Sequence, residues 1–242
     1  MKLSNTALNI EPSLTFANIA KVKALKERGE EVYTFLAGEP DFKTTDRICD
    51  AAYQAMKSGQ TGYTVATGII ELKEAIQNKF EKDQGVHYGL DQIVVSCGAK
   101  HSLYLSFISL LDLGDEVIVP APYWVTYPEQ IRLAGGVPIY VTCKPENGFV
   151  LQPEDLEASV TRRTKAVIIN SPNNPTGVVY SREQLQAILD VCIKYKLAII
   201  CDDIYEKLVF GDTKFTSMIE LSESAKEYCI VINGVSKSYA MT

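Results

Sequence analysis

Several signals that would commit the sequence to a class are scarce or missing. Only two histidines, His87 and His101, occur in 242 residues, and their spacing is not that of metal ligands. The six cysteines (Cys49, Cys97, Cys143, Cys192, Cys201 and Cys229) include no CxxC pair, which argues against a zinc site. Several lie in apolar stretches such as LAIIC and YCIVI, where cysteine behaves as a small core residue, so reduced thiols and a cytoplasmic setting are expected. No apolar run approaches the ~20 residues of a membrane helix. The opening MKLSNTALNIEPS lacks the apolar centre of a secretory signal. Positive charge is not in excess: the formal balance is −6, which disfavours nucleic acid or an anionic membrane as main partner but leaves a small anionic ligand open. Neither a GxGxxG fingerprint nor a Walker A lysine pattern is present, and no internal repeat or low-complexity tract interrupts the chain.

What is present is a soluble globular composition, 46% apolar and 22% charged, on a chain long enough to bury a sizeable core. Apolar, β-branched runs alternate with amphipathic ones. QIVVS (92–96), DEVIVP (115–120), VPIYVT, KAVIIN (165–170), LAIICD (197–202) and CIVIN (229–233) read as strands. Between them, the run from Ala99, TYPEQIRLAG, QPEDLEASV and the Ser181-capped SREQLQAILDVCIKYK read as helices. Continuous apolar strands separated by helices predict an α/β fold, with a mostly parallel sheet covered on both faces. The first ~45 residues differ: IAKVKALKERG predicts a helix ended by Gly29, and EVYTFLAGEPDF a strand running into a turn. Residues 1–45 are therefore set apart from a large domain over 46–242. The final SKSYAMT, with no cap or polar tail, reads as a cut rather than a finish.

In open α/β sheets ligands bind at the carboxyl ends of the strands, and the unusual residues collect there. After IVVS comes Cys97-Gly98-Ala99-Lys100, a small-residue turn whose free N–H groups suit a phosphate, although alone it is an ordinary strand–helix turn. After LAIIC come Asp202, Asp203 and Tyr205; one acid can be explained as a helix cap. After CIVIN come Ser236 and Lys237, and a lysine there is commonly solvated. Tyr123 and Trp124 add an aromatic pair. A phosphate cradle, an acid and a lysine after successive strands point to pyridoxal 5'-phosphate, whose aldehyde condenses with an amine and whose ring nitrogen needs a carboxylate.

The ordered set AGEPDF (37–42), GYTVATG (62–68), PAPYWVTYP (120–128), NSPNNPTG (170–177), DDIYE (202–206) and SKSYAMT (236–242) resembles the class I aminotransferases among the fold-type-I pyridoxal-phosphate enzymes, most closely their prokaryotic-type aspartate aminotransferases. The resemblance implies that Lys237 holds the cofactor covalently and that Asp202 pairs with its ring nitrogen. It implies that Tyr205 and Asn174 bond its phenolic oxygen, that Trp124 stacks on its ring, and that Gly98, Ala99 and Ser236 contact its phosphate. Tyr63 matches a tyrosine that crosses to the partner's phosphate in a homodimer with shared sites. Gly38, Lys100, Trp124 and Asn174 match substrate contacts, Lys100 at the distal carboxylate of an acidic substrate; a solvated helix-start lysine is an equal reading of that residue. The prolines around Asn174 are expected to fix φ and so hold its side chain in place.

The implied reaction is transamination between an acidic amino acid, aspartate above all, and 2-oxoglutarate. Two alternatives stay open: another fold-type-I reaction such as a β-lyase, or a protein that binds the cofactor without turnover. Gly234 departs from the family, which often has Ser three residues before the lysine, and puts one phosphate contact in doubt. The arginines that the family uses for the phosphate and the substrate α-carboxylate are expected beyond Thr242, so the 242 residues alone are expected to be nearly inactive.

Overall fold

Every second residue of the strands faces the opposite side of the sheet, and here both sides are apolar. A computed structural model of the protein describes residues 2–8, 10, 14–34 and 38–242, with the side chains of 14–17 left aside. It contains strands β1 (Glu116–Ala121), β2 (Val137–Thr142), β3 (Thr164–Asn170), β4 (Ala198–Asp202) and β5 (Cys229–Ile232). All neighbours pair in parallel, in the order β2-β1-β3-β4-β5. Val117 and Val119 join Ala166, Ile168 and Ile200 on one side. Ile118, Val167, Ile169, Ile199 and Cys201 lie on the other.

The chain divides into two compact units, residues 1–43 and 44–242. The first holds α1 (Asn5–Leu8) and α2 (Leu14–Glu27). The expected strand over 31–42 is not found among its described residues, and 35–37 lie outside them. The second unit adds α3 (Asp46–Lys57), α4 (Ile70–Gln84), α5 (Ala99–Leu110), α6 (Thr126–Leu133), α7 (Pro153–Ala158), α8 (Arg182–Tyr195) and α9 (Ala225–Tyr228).

Helices α5 and α6 cover one face through Leu103, Phe107, Tyr127 and Ile131. Helices α7, α8 and α9 cover the other through Leu156, Leu185, Ile188, Leu189 and Ala225. Helix α8 starts as its sequence dictates: Ser181 accepts from the Gln184 N–H at 3.3 Å, and the Gln184 side chain returns the bond to the Ser181 N–H at 2.8 Å.

One expected strand is corrected. QIVVS forms no ladder: Leu90–Gln92 is a 3₁₀ turn, and the Val95 N–H donates to the Thr67 carbonyl at 3.0 Å. Ile93 is buried but Val94 is exposed, so the apolar run lies against the body without a described strand beside it to complete a ladder. Because β1 pairs with β2 on one side and β3 on the other, the connections reverse direction there, the crevice where open α/β sheets bind ligands.

Candidate active site

The loop after β3 is held by its asparagines. Asn170, the last residue of β3, is buried; its Nδ2 donates to the Asp202 carbonyl at 2.8 Å and its Oδ1 accepts from the Asn174 N–H at 2.7 Å. Asn173 closes the turn, its Oδ1 accepting from the Thr176 hydroxyl at 2.8 Å and its N–H donating to the Val178 carbonyl at 2.8 Å. The Ser171–Pro172 and Asn174–Pro175 bonds are both cis. Side-chain hydrogen bonds therefore share with the prolines the work of holding Asn174, whose Nδ2 lies 3.5 Å from the Tyr205 hydroxyl.

Asp202 ends β4 and is only 3% exposed. One carboxylate oxygen accepts from the Tyr127 hydroxyl at 2.5 Å, the other from the Ile204 N–H at 3.3 Å. Burial pushes its pKa up to about 6 in spite of both donors. A carboxylate so placed gains from a cation or a strong donor beside it. Burial, the Asp202 charge and the bond to Asp202 hold the Tyr127 hydroxyl well above the usual tyrosine range, so it remains a donor. Burial and the same negative charge also raise Tyr205. Asp203 points elsewhere, accepting from the Ser217 hydroxyl at 2.6 Å.

Helix α6 carries Tyr127 within its first turn, and the ring of Trp124, just before it, meets Tyr127 edge-on at 5.3 Å. Lys100 places its Nζ 5.1 Å from the centre of the Trp124 ring. Gln130 on α6 donates to the Lys100 carbonyl at 2.6 Å and so ties α6 to the start of α5. Gly98 precedes α5 with φ +82° and ψ 164°, a conformation nearly restricted to glycine, and a Cβ there would meet nothing within 4 Å. It turns the chain so that the N–H groups of Ala99 and Lys100 open the helix without carbonyls one turn back. From the turn after β5, the Nζ of Lys237 lies 5.8 Å from the centre of the Tyr205 ring. Ser236, its neighbour, is half-buried. A Cβ on Gly234 would come within 3.2 Å of Ile204, which gives a packing reason for glycine where the family often has serine.

Most of the expected residues thus fall into two groups. Asp202, Tyr205, Asn174 and Lys237 follow the ends of β3, β4 and β5, whereas Trp124, Lys100, Gly98 and Ala99 cluster about the starts of α5 and α6; Tyr127 joins the two sets through Asp202. Tyr63 is fully exposed, at 110%, and packs on none of them within the single chain. Gly38 belongs to the first unit. Sequence reasoning missed Tyr127 and Asn170. The signals were a tyrosine one helical turn after Trp124 and a polar residue closing an otherwise apolar strand.

The donor set fits pyridoxal phosphate: an amine, a buried acid, two neutral donors side by side, and an uncapped helix start. Among the described residues no group of His, Cys, Asp and Glu is placed to hold a metal ion.

The sheet and this arrangement define an α/β chain of the fold-type-I aminotransferase type. The chain belongs to the family described as aminotransferase class I and II, whose pattern matches residues 30–242 and whose members use pyridoxal phosphate. Among its relatives, the aspartate aminotransferase of Bacillus subtilis is 50% identical over 242 residues, all of this chain and 62% of that protein. The probable aspartate/prephenate aminotransferase of Aquifex aeolicus is 49% identical over 240 residues, 99% of this chain and 61% of the relative. Two solved structures superpose over 100% of the chain. Aspartate aminotransferase from Rhizobium meliloti has a TM-score of 0.96, 38% identity and 61% of its own length covered. The Thermus thermophilus enzyme with maleate has a TM-score of 0.93, 40% identity and 62% covered. The chain thus spans about three fifths of the length of these proteins.

Proposed function

We propose that the protein is a pyridoxal-phosphate-dependent aminotransferase that exchanges the amino group of aspartate, or another acidic amino acid, with 2-oxoglutarate. The observation that carries this reading is Asp202: a carboxylate buried at a strand end and held by Tyr127 and the Ile204 N–H, followed by a turn whose Tyr205 meets both Asn174 and Lys237. When bound, pyridoxal phosphate supplies an aldehyde that takes up the amino group and a protonated ring that draws electrons from Cα.

Each residue then has a stated task. Lys237 would hold the cofactor through its amine, and the same amine would take the proton from the substrate Cα. Asp202 keeps the ring nitrogen protonated, an interaction that counts most where negative charge develops in the transition state. Tyr127 fixes the carboxylate and favours its ionised form. Asn174 and Tyr205 bond the phenolic oxygen, Trp124 covers the ring, and Gly98, Ala99 and Ser236 hold the phosphate. Lys100 at the Trp124 ring suits a distal carboxylate, as does the maleate, a dicarboxylate, of the Thermus relative. Gly38 joins the substrate contacts, and residues 1–45 contribute to a small domain.

The exposed Tyr63 serves a partner's phosphate in a homodimer. The resemblance places the arginines for the phosphate and the α-carboxylate outside these 242 residues, and on this reading the 242-residue chain alone transfers amino groups far more slowly than a protein of the relatives' full length. Amino transfer from aspartate to 2-oxoglutarate, assayed on full-length protein of confirmed dimeric mass, tests the reading. Asp202→Ala should lower the rate by at least a hundredfold, whereas Asp203→Ala keeps most of it. Equal losses, or no transfer by the unaltered dimer, would refute it.

A further inference from the structure

Tyr205 sits in a turn that belongs to no helix or strand. Within residues 203–208 the backbone has two short bonds of its own: the Glu206 N–H to the Asp203 carbonyl at 3.0 Å, and the Leu208 N–H to the Tyr205 carbonyl at 2.7 Å. The next two side chains reach a different part of the unit. Glu206, its side chain only 4% exposed, accepts from the Nζ of Lys79 at 2.6 Å and from Gln84 at 3.1 Å. Lys207 pairs with Asp83 at 2.7 Å. Lys79, Asp83 and Gln84 all lie in the last turns of α4.

That end of α4 has a firm base. Phe80 is buried against Val86 and Ile219, with Tyr88, Cys229 and Val231 packed around them, so it rests beside β5. Gln77 donates to the Tyr88 carbonyl at 2.5 Å, and Gly85, with φ +68°, ends the helix.

We infer that the Lys79–Glu206 pair is a positioning device by which α4 fixes the turn that presents Tyr205. A buried carboxylate needs its cation, so the pair holds Glu206 in one place, and Tyr205 is its immediate neighbour. The role of Tyr205 toward the cofactor rests on the function proposed above; the clamp itself does not. Its charged surroundings are Asp83, Lys207, Asp203 and Glu220, and none of these supplies a second cation to Glu206 at ion-pair distance in the structure.

Amide hydrogen exchange on cofactor-free protein tests the clamp directly. In Lys79→Met the Glu206 and Leu208 amides should exchange at least tenfold faster, while those of β3 and β4 keep their rates. The double variant Lys79→Met/Glu206→Leu removes both charges, so no unpaired carboxylate threatens folding, and it should show the same local acceleration. Glu116→Gln is the matched control. It removes the charge of another buried carboxylate, paired with Arg163 at 2.6 Å at the opposite end of the sheet, and should leave the turn protected. Unchanged exchange in the Lys79 variants, or equal acceleration in Glu116→Gln, overturns the inference.

Trp124, the sole tryptophan, gives a second reading through its quenching by pyridoxal phosphate. The dissociation constant should rise about tenfold in Lys79→Met and stay within twofold in Glu116→Gln; equal values in Lys79→Met and unaltered protein contradict a role at the cofactor. Emission of the unaltered protein that ignores pyridoxal phosphate would refute the cofactor reading, while the exchange result still decides the clamp.

Discussion

Asp202 and Asp203 are adjacent and both buried, yet they answer to different partners. Asp202 receives Tyr127 and the Ile204 N–H; Asp203 receives Ser217 and stands near the negative Glu206. Burial, helped by the charges of Glu206 and Asp202, pushes Asp203 up to about 7 from 3.8. A carboxyl whose pKa is raised on folding binds more protons folded than unfolded across that window. Its contribution to stability therefore falls as pH rises from about 4 to about 7. A shift of about three units corresponds to an upper bound of about 4 kcal/mol. Asp203→Asn keeps an acceptor for Ser217 and removes the titration. Urea unfolding should show a gain of about 2–4 kcal/mol at pH 8 and little change at pH 4. An unaltered pH slope would contradict the assignment. Asp202 is raised less, to about 6: it receives two donors, Tyr127 and the Ile204 N–H, whereas Asp203 receives Ser217 and is raised further by the charges of Glu206 and Asp202. That tyrosine was invisible in the sequence as a site residue, since a tyrosine in an amphipathic run reads first as core.

At the scale of elements, five strands were legible as short, continuous β-branched runs, and α5 to α8 as the amphipathic runs between them. One failure was QIVVS. Its composition is that of a strand, but a strand also needs a neighbour to bond, and pairing cannot be read from one segment. The asparagine clasp of Asn170 was hidden for a similar reason, since its two partners lie on different elements. The start of α5 was legible as a small-residue turn opening a helix, and the observed φ of +82° explains Gly98. Gly98→Ala has space for its methyl group, so its cost is backbone strain, about 1–3 kcal/mol. Chemical denaturation should show that loss, together with weaker pyridoxal-phosphate binding. Unchanged stability would mean that the turn relaxes, and the cradle geometry would then not be fixed by glycine.

At the scale of the whole molecule, these 242 residues span about three fifths of the length of the relatives they match. Asp202, Tyr205, Asn174 and Lys237 gather after β3, β4 and β5, and Trp124 and Lys100 meet at the starts of α5 and α6. Tyr63 projects into solvent, and Leu105 and Ile108 on α5, Tyr53 and Met56 on α3, are exposed apolar residues of the kind that a partner surface covers.

The account stands or falls on the lysine after β5, half-buried and 5.8 Å from the Tyr205 ring. Its most direct test is to incubate the protein with pyridoxal phosphate, reduce with borohydride, digest, and map the adduct by mass spectrometry. The reduced cofactor should be found on Lys237 and be lost in Lys237→Ala; an adduct mainly on another of the chain's lysines, or none, would contradict the account.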